Sequence, residues 1–143
     1  MKKIQLSAII GLSILLISSC GSSPGGTSAN SGAVNAPTVA SGDAVYKKTC
    51  VTCHQANGQG LPNTFPPLAK SDYLSDKEKT ILQVLKGSAG EIVVNGKTFN
   101  STMPPQQLSD EEIASVLTYV YGNFGNSGGT VTPAEVKTLR AKL

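Results

Sequence analysis

Two cysteines and a histidine within five residues are the side chains in this sequence best placed to do chemistry. Cys50 and Cys53 are separated by two residues, and His54 follows directly. Thiols three positions apart lie nearly on one face of a helix. There they can add to two neighbouring vinyl groups of a porphyrin, and the next imidazole is aimed at the iron. C-x-x-C-H is therefore read as a site of covalent haem attachment.

A C-x-x-C pair could also be a redox-active dithiol or half of a zinc site. A thioredoxin-like dithiol is expected near a βαβ pattern, whereas the sequence around residues 50–54 is helical and rich in Gly and Pro. A structural zinc site needs four ligands, but His54 is the only His and the third cysteine, Cys20, belongs to another segment. The haem interpretation, with one covalent haem c, is preferred.

A second axial ligand for the iron can be sought by elimination. His54 is the only His, and Met1 belongs to a segment expected to be removed, so Met103 is the only mature Met. Met103 lies in a loop stiffened by Pro104 and Pro105. An exposed loop Met can also be no more than a spare apolar residue. We predict Met103 as the sixth ligand.

The first twenty residues have the form of an export signal. Lys2 and Lys3 are followed by uncharged, mostly apolar residues 4–17, a run too short for a transmembrane helix, which needs about 20 residues. Two serines then precede Cys20, which resembles the lipobox of bacterial lipoproteins. That resemblance implies cleavage before Cys20 and lipidation of its sulfur. The alternative is an ordinary signal peptide with a chance Cys.

The predicted organisation is a signal peptide (1–19), a lipidated tether (20–40) and one domain (41–143). The tether is uncharged and rich in Gly, Ser, Ala and Asn, which is typical of a flexible linker. We expect the domain to lie outside the cytoplasm, anchored on the periplasmic side of a bacterial membrane. Without Lys2 and Lys3, 10 basic residues face 9 acidic ones. No basic cluster indicates nucleic-acid binding.

Four helices are predicted in the domain. Gly42, Tyr46, Cys50 and Cys53 recur at helical spacing and share one face. Capping boxes predict three further helix starts, at residues 75–78, 109–112 and 132–135, the last with Pro at the first helical position. Glycines predict two helix ends, at Gly87 and Gly122.

A short hairpin is the only β structure predicted. Asn95-Gly96 lies between the apolar residues of the segment 92–99, and such a pair is a strong signal for a two-residue turn. The fold class is therefore all-α, with a small hairpin excursion before the Met103 loop.

Residues 41–124 resemble a class I cytochrome c domain. The matching features are Gly42 and Tyr46, the C-x-x-C-H motif, Phe65-Pro66-Pro67-Leu68, Thr102-Met103-Pro104-Pro105 and the apolar segment 113–120. The stretch from Phe65 through Asp72-Tyr73-Leu74, with Val94-Asn95-Gly96 and residues 109–112, resembles one subgroup. Its members are cytochrome domains fused to, or serving, bacterial copper nitrite reductases and similar respiratory enzymes.

The resemblance implies a class I cytochrome c fold with its core at 41–124 and a C-terminal helical extension. It also implies that Gly42 and Tyr46 pack against Val116 and Tyr119, where the first and C-terminal helices cross. Pro66 should offer its carbonyl oxygen to the ring N–H of His54, which would fix the imidazole tautomer.

Iron held by both His54 and Met103 has no open position, which indicates an electron carrier and not an enzyme. The predicted role is electron transfer in a bacterial respiratory chain, between a redox-protein donor and acceptor such as copper nitrite reductase or a terminal oxidase. Two alternatives stay open. One is a haem-based gas sensor or ligand binder in which Met103 is displaced, and the other is a non-catalytic haem subunit of a reductase or oxidase complex.

Overall fold

The computed structural model describes residues 39–143. The predicted signal peptide, the predicted lipidation site Cys20 and nearly all of the predicted tether lie outside these residues. In the described part, no helix has the length and apolar character needed to cross a membrane.

Five α-helices, one short 3-10 helix and a two-stranded hairpin make up the described residues. In chain order they are α1 (Gly42–Thr49), α2 (Val51–His54), the 3-10 helix (Asp72–Ser75), α3 (Lys77–Lys86), β1 (Ile92–Val94), β2 (Lys97–Phe99), α4 (Asp110–Asn123) and α5 (Pro133–Arg140). The prediction of an all-α domain with a small hairpin is confirmed.

The predicted first helix is interrupted at Cys50. The backbone of Cys50 has φ −106° and ψ −29°, so α1 ends before it and α2 begins after it. Its N–H nevertheless donates to the Tyr46 carbonyl and its carbonyl oxygen accepts from His54 N, both at 2.9 Å, so helical hydrogen bonding continues across Cys50. The four residues predicted on one face therefore span two short helices.

Helix α1 crosses α4 at close range. A Cβ atom at Gly42 would collide with the carbonyl oxygen of Ser115 and lie 2.7 Å from Tyr119 Cβ, so only glycine fits. Next to this crossing, the rings of Tyr46 and Tyr119 are 5.6 Å apart. Val116 belongs to the same buried cluster. The packing implied by the family resemblance is present.

One capping box was predicted one residue too early. Helix α3 is capped by Asp76, whose side chain accepts from Lys79 N at 3.0 Å. Ser75 ends the 3-10 helix instead, and its hydroxyl donates to the Asp72 carbonyl at 2.7 Å. Ser75 does not cap α3 because it belongs to the 3-10 helix and its hydroxyl is engaged there, whereas the Asp76 carboxylate accepts from the first turn of α3. Gly87 ends α3, as predicted.

The other two capping boxes are confirmed. Ser109 and Glu112 exchange side-chain and backbone hydrogen bonds at the start of α4, and Thr132 and Glu135 do the same at the start of α5. The predicted end of α4 at Gly122 is one residue short. The helix continues to Asn123, because a glycine in the right-handed region can remain in a helix when packing continues beyond it.

The core lies between α1, α3, α4 and α5. Its fully buried side chains include Tyr46, Ile81, Ile113, Val116 and Val136. In the hairpin, Ile92 pairs with Phe99, and Asn95 and Gly96 turn the chain with φ of 50° and 74°. The hairpin prediction is confirmed, and its turn has positive φ at both central residues.

Candidate functional site

Two adjoining cavities form a slot beside the core. Both are lined by Cys50, His54, Pro66, Gln83, Ile92, Met103 and Gln106. The first continues towards the core along apolar side chains, among them Leu68, Leu74, Val94, Val116, Leu117 and Val120. The second opens past Cys53, Phe65 and Phe99. The slot thus brings Cys50, Cys53, His54, Pro66 and Met103 together.

His54 ends helix α2 with its ring turned towards the 66–68 segment. Its Nδ1 lies 3.0 Å from the carbonyl oxygen of Pro66. A carbonyl only accepts, so the proton of this bond is on Nδ1 and the lone pair is on Nε2. Burial lowers the pKa of His54, and the Pro66 carbonyl opposes that shift. The ring is therefore a neutral imidazole with one free nitrogen, as metal ligation requires.

The Pro66 carbonyl is itself held by a tight loop. Gly60 N donates to the His54 carbonyl at 2.9 Å, and Leu61 N donates to the Phe65 carbonyl at 2.9 Å. Gly60 has φ +67°, and a Cβ there would collide with Phe65 O and lie 2.6 Å from Pro66 O. The sequence analysis missed Gly60. Its signal was the Gly-Gln-Gly segment closely following the C-x-x-C-H motif.

The two cysteines of the motif are half-buried and carry free thiols. Burial raises the pKa of Cys50 to about 11, with the neighbouring Cys53 adding to the effect. A redox-active dithiol needs a thiol pKa lowered by its surroundings. The environment of Cys50 acts in the opposite direction, which argues against a redox-active dithiol.

Met103 reaches the slot from the other side, on a loop fixed to the end of α3. Met103 and Ser88 exchange two backbone hydrogen bonds of 2.9 and 2.8 Å. Gly87, with φ +71°, allows the loop to pass close by. A Cβ there would collide with the Met103 carbonyl oxygen and lie 2.8 Å from Pro105 N. Gln106 N donates to the Val84 carbonyl at 3.0 Å, which closes the attachment.

Asn126 is a further residue that the sequence analysis missed. Its side-chain oxygen accepts from Ser71 N at 3.0 Å, and its nitrogen donates to the Leu68 carbonyl at 2.8 Å. Leu68 and Ser71 both line the slot. Asn126 therefore ties one wall of the slot to the chain that follows α4. It lies in a Gly-rich stretch where the sequence carried no signal for this contact.

The family model for cytochrome c matches residues 39–122 of the chain. Cytochrome c-552 of Thermus thermophilus is 41% identical over 114 residues, covering 72% of this chain and 86% of the relative. The cytochrome c subunit of the quinone alcohol dehydrogenase of Gluconobacter oxydans (strain 621H) is 29% identical over 103 residues, covering 69% of this chain and 22% of that subunit. The fructose dehydrogenase cytochrome subunit of Gluconobacter japonicus is 29% identical over 106 residues, covering 70% and 22%.

Proposed function

Since the chain belongs to the cytochrome c family, we propose that its one-electron carrier site is built from Cys50, Cys53, His54 and Met103. As a class I c-type cytochrome, the protein binds haem c covalently and transfers electrons; it is not an enzyme. The bound haem supplies a reversible one-electron iron couple. The residues that hold it, its anchoring and its partners are the content of the proposal.

The donor set and the slot fit a haem. Two thiols lie at one side, a neutral imidazole nitrogen and a thioether sulfur are available for the iron, and the walls are mainly apolar. The observation that carries the proposal is that His54 and Met103 line the same two cavities although they come from different parts of the chain. Such a pair can bind one iron from opposite sides.

Each of these residues has a distinct task in the proposed site. Cys50 and Cys53 attach the haem through thioethers, so that it is not lost. The Pro66 carbonyl holds the Nδ1 proton of His54, which leaves Nε2 for the iron and raises its basicity. Ligation by Met103 raises the reduction potential. With His54 and Met103 both bound, the iron would have no open position for a substrate.

Covalent attachment through both cysteines is tested by extraction. After denaturation in acid acetone, the haem should stay with the polypeptide, with one haem per chain. Haem that passes into the solvent would contradict attachment through Cys50 and Cys53. Ordinary non-covalent haemoprotein treated in parallel provides the control, because its haem should extract.

The family works outside the cytoplasm, and we propose further that lipidation of Cys20 anchors this chain to a membrane. The support is the charged start, the apolar run and the two serines before Cys20. Several acyl chains on one residue would anchor firmly, since each buried CH₂ contributes about 0.8 kcal/mol. Cys20→Ser should give an unanchored cytochrome or an uncleaved precursor on cell fractionation. Mature variant that still pellets fully with membranes would rule out the lipid as the anchor.

We propose that the partners are respiratory redox proteins, with a terminal oxidase or a copper nitrite reductase as acceptor. The alcohol and fructose dehydrogenase relatives, named as cytochrome subunits, favour a second possibility, a lasting association with a dehydrogenase. Purification without cross-linker separates the two. A shuttle should elute alone at its own size, whereas a subunit should co-elute with an enzyme in constant proportion.

A further inference from the structure

Gln83 on α3 is a polar side chain set into the Met103 side of the slot. It is half-buried and lines both cavities of the slot, and it also lines two further cavities, one shared with Met103 and one shared with Tyr73 and Lys79. Its Oε1 accepts a hydrogen bond from the hydroxyl of Tyr73 at 3.3 Å. Within residues 39–143, its Nε2 has no hydrogen-bond partner. The side chain therefore offers a free donor to what the slot holds.

Tyr73 is placed to keep the amide of Gln83 in one orientation. The Tyr73 ring lines the slot, and Lys79 Nζ lies 3.8 Å from its centroid, which restrains the ring from the solvent side. The Tyr73 hydroxyl donates its hydrogen to the amide oxygen of Gln83. The two N–H groups of Gln83 are therefore left for another acceptor. Gln83 is half-buried and its Nε2 keeps some access to water, so an acceptor in the slot would take the place of water on this donor.

Gln106 is the other glutamine of the slot, and its side-chain amide already has a hydrogen-bond partner. It lines both cavities of the slot with Gln83, but its Nε2 donates to the Pro104 carbonyl at 2.6 Å. Gln106 thus serves the backbone of the Met103 loop. Gln83 is the one of the two glutamines whose donors are free.

We propose that Gln83 donates a hydrogen bond to the Met103 thioether sulfur in the haem-bound protein, and that Tyr73 orients it for this. The inference rests on the proposed ligation of iron by Met103. Sulfur is a weak acceptor, and a donor beside it withdraws electron density. Ferric iron depends more on that density than ferrous iron does, so the bond favours the reduced state. Gln83 is a positioning residue that raises the reduction potential.

Redox titration of the holoprotein tests this inference. Gln83→Leu should lower the equilibrium constant for reduction about three- to tenfold, the range expected for one net hydrogen bond. The weak far-red band that accompanies thioether ligation should shift or weaken as well. Gln107→Leu is the matched control, because Gln107 is an exposed glutamine on the same segment as Met103 and should change neither readout.

The role of Tyr73 is tested by a double-mutant cycle. Tyr73→Phe removes only one oxygen and should lower the potential less than Gln83→Leu does. The double variant should match Gln83→Leu, because Tyr73 acts through the amide. If the two substitutions lower the reduction potential additively, Tyr73 does not act through Gln83 and the proposed coupling is wrong. Should Gln83→Leu give no holoprotein, Tyr73→Phe decides alone, and an unchanged potential would then refute the inference.

Other outcomes separate this inference from the site on which it rests. A wild-type protein without the far-red band would overturn ligation by Met103 itself. A normal wild-type band with an unchanged potential and band in Gln83→Leu would leave the ligation intact and refute the role of Gln83. A potential change that depends on pH, with an unchanged band, would assign the amide to a haem carboxylate and equally overturn donation to sulfur.

Discussion

The two sides of the slot are built in different ways. On the side of His54, the cysteines, the imidazole and the Pro66 carbonyl come from residues 50–66, and the bonds that fix them span few residues. On the side of Met103, the ligand loop depends on the end of α3. Ser88, Gly87 and Val84 hold residues 103–106 through contacts that are distant in sequence.

This difference predicts that substitutions on the two sides of the slot should have different effects on the haem. The side of His54 is nearly a local motif, with the proposed haem attachment and one proposed ligand in a single short segment. The side of Met103 exists only when α3 and its loop are docked. Loss of an attaching cysteine on the first side should remove the haem, whereas damage to the second side should leave a covalent haem with an altered sixth position.

The largest expected effect is on the local side. Cys53→Ala removes one thioether while His54 and Met103 remain, and most of the holoprotein should be lost because attachment and folding are coupled. Haem absorbance per purified chain measures the loss. Cys20→Ala is the matched control outside the domain, and its soluble fraction should keep a full haem content. Equal haem content in Cys53→Ala and wild type would contradict the account.

Two glycine substitutions compare the sides directly. Gly60→Ala and Gly87→Ala each put a side chain at positive φ, which costs about 1–2 kcal/mol, and each also meets backbone atoms of the slot. Both should lower the free energy of unfolding by more than that amount. Gly87→Ala should also weaken the far-red band, because its Cβ meets the Met103 carbonyl. Gly60→Ala should disturb the His54–Pro66 contact instead and keep the band.

Gly90→Ala separates backbone strain from collision in that experiment. Gly90 has φ +92° and no atom within 4 Å of an added Cβ. Its substitution should therefore cost only the strain, about 1–2 kcal/mol, in chemical denaturation. If Gly90→Ala destabilises the protein as much as Gly60→Ala and Gly87→Ala, the close backbone approaches do not matter.

The smallest effect is expected at α5, away from both sides. Thr132→Ala removes the cap of α5 and should lower the free energy of unfolding by about 1 kcal/mol, with the reduction potential unchanged. Bonds from Thr132 lower the pKa of Glu135, helped by Lys77. A carboxyl group whose pKa is lowered by folding stabilises the folded state at neutral pH. That contribution is lost as the pH falls through the lowered pKa of Glu135. The difference between variant and wild type should narrow in acid. A changed reduction potential in Thr132→Ala would contradict this prediction, because it would mean that α5 influences the haem site.

What the sequence could predict follows the same division. The residues around His54 were predicted from spacing, and the helix starts at Ser109 and Thr132 from capping chemistry, because both depend on near neighbours. The cap of α3 was misplaced because Ser75 and Asp76 offer the same pattern one residue apart, and the choice depended on the preceding 3-10 helix. Gln83 and Asn126 were missed because their contacts involve residues that the sequence pattern does not bring together. Gly60 was missed although its contacts with Phe65 and Pro66 are local.

Met103 stands between these cases. Elimination selected it as a ligand, and Pro104 and Pro105 indicated a stiff loop, but nothing in the segment indicated which part of the chain would hold that loop. The bridge to Ser88 and the close passage over Gly87 supply that information. The role of Met103 as sixth ligand stays a prediction, and it decides whether the protein is a carrier or a ligand-binding haem protein.

Carbon monoxide binding by the reduced protein tests the central claim most directly. The wild type should resist carbon monoxide at neutral pH, because the proposed ligands His54 and Met103 would leave the iron no open position. Met103→Ala should keep its covalent haem, since Cys50 and Cys53 are untouched, and should bind carbon monoxide in equal proportion to haem, with a lowered reduction potential. Rapid, stoichiometric binding by the unmutated protein would contradict the carrier account and favour a haem-based sensor.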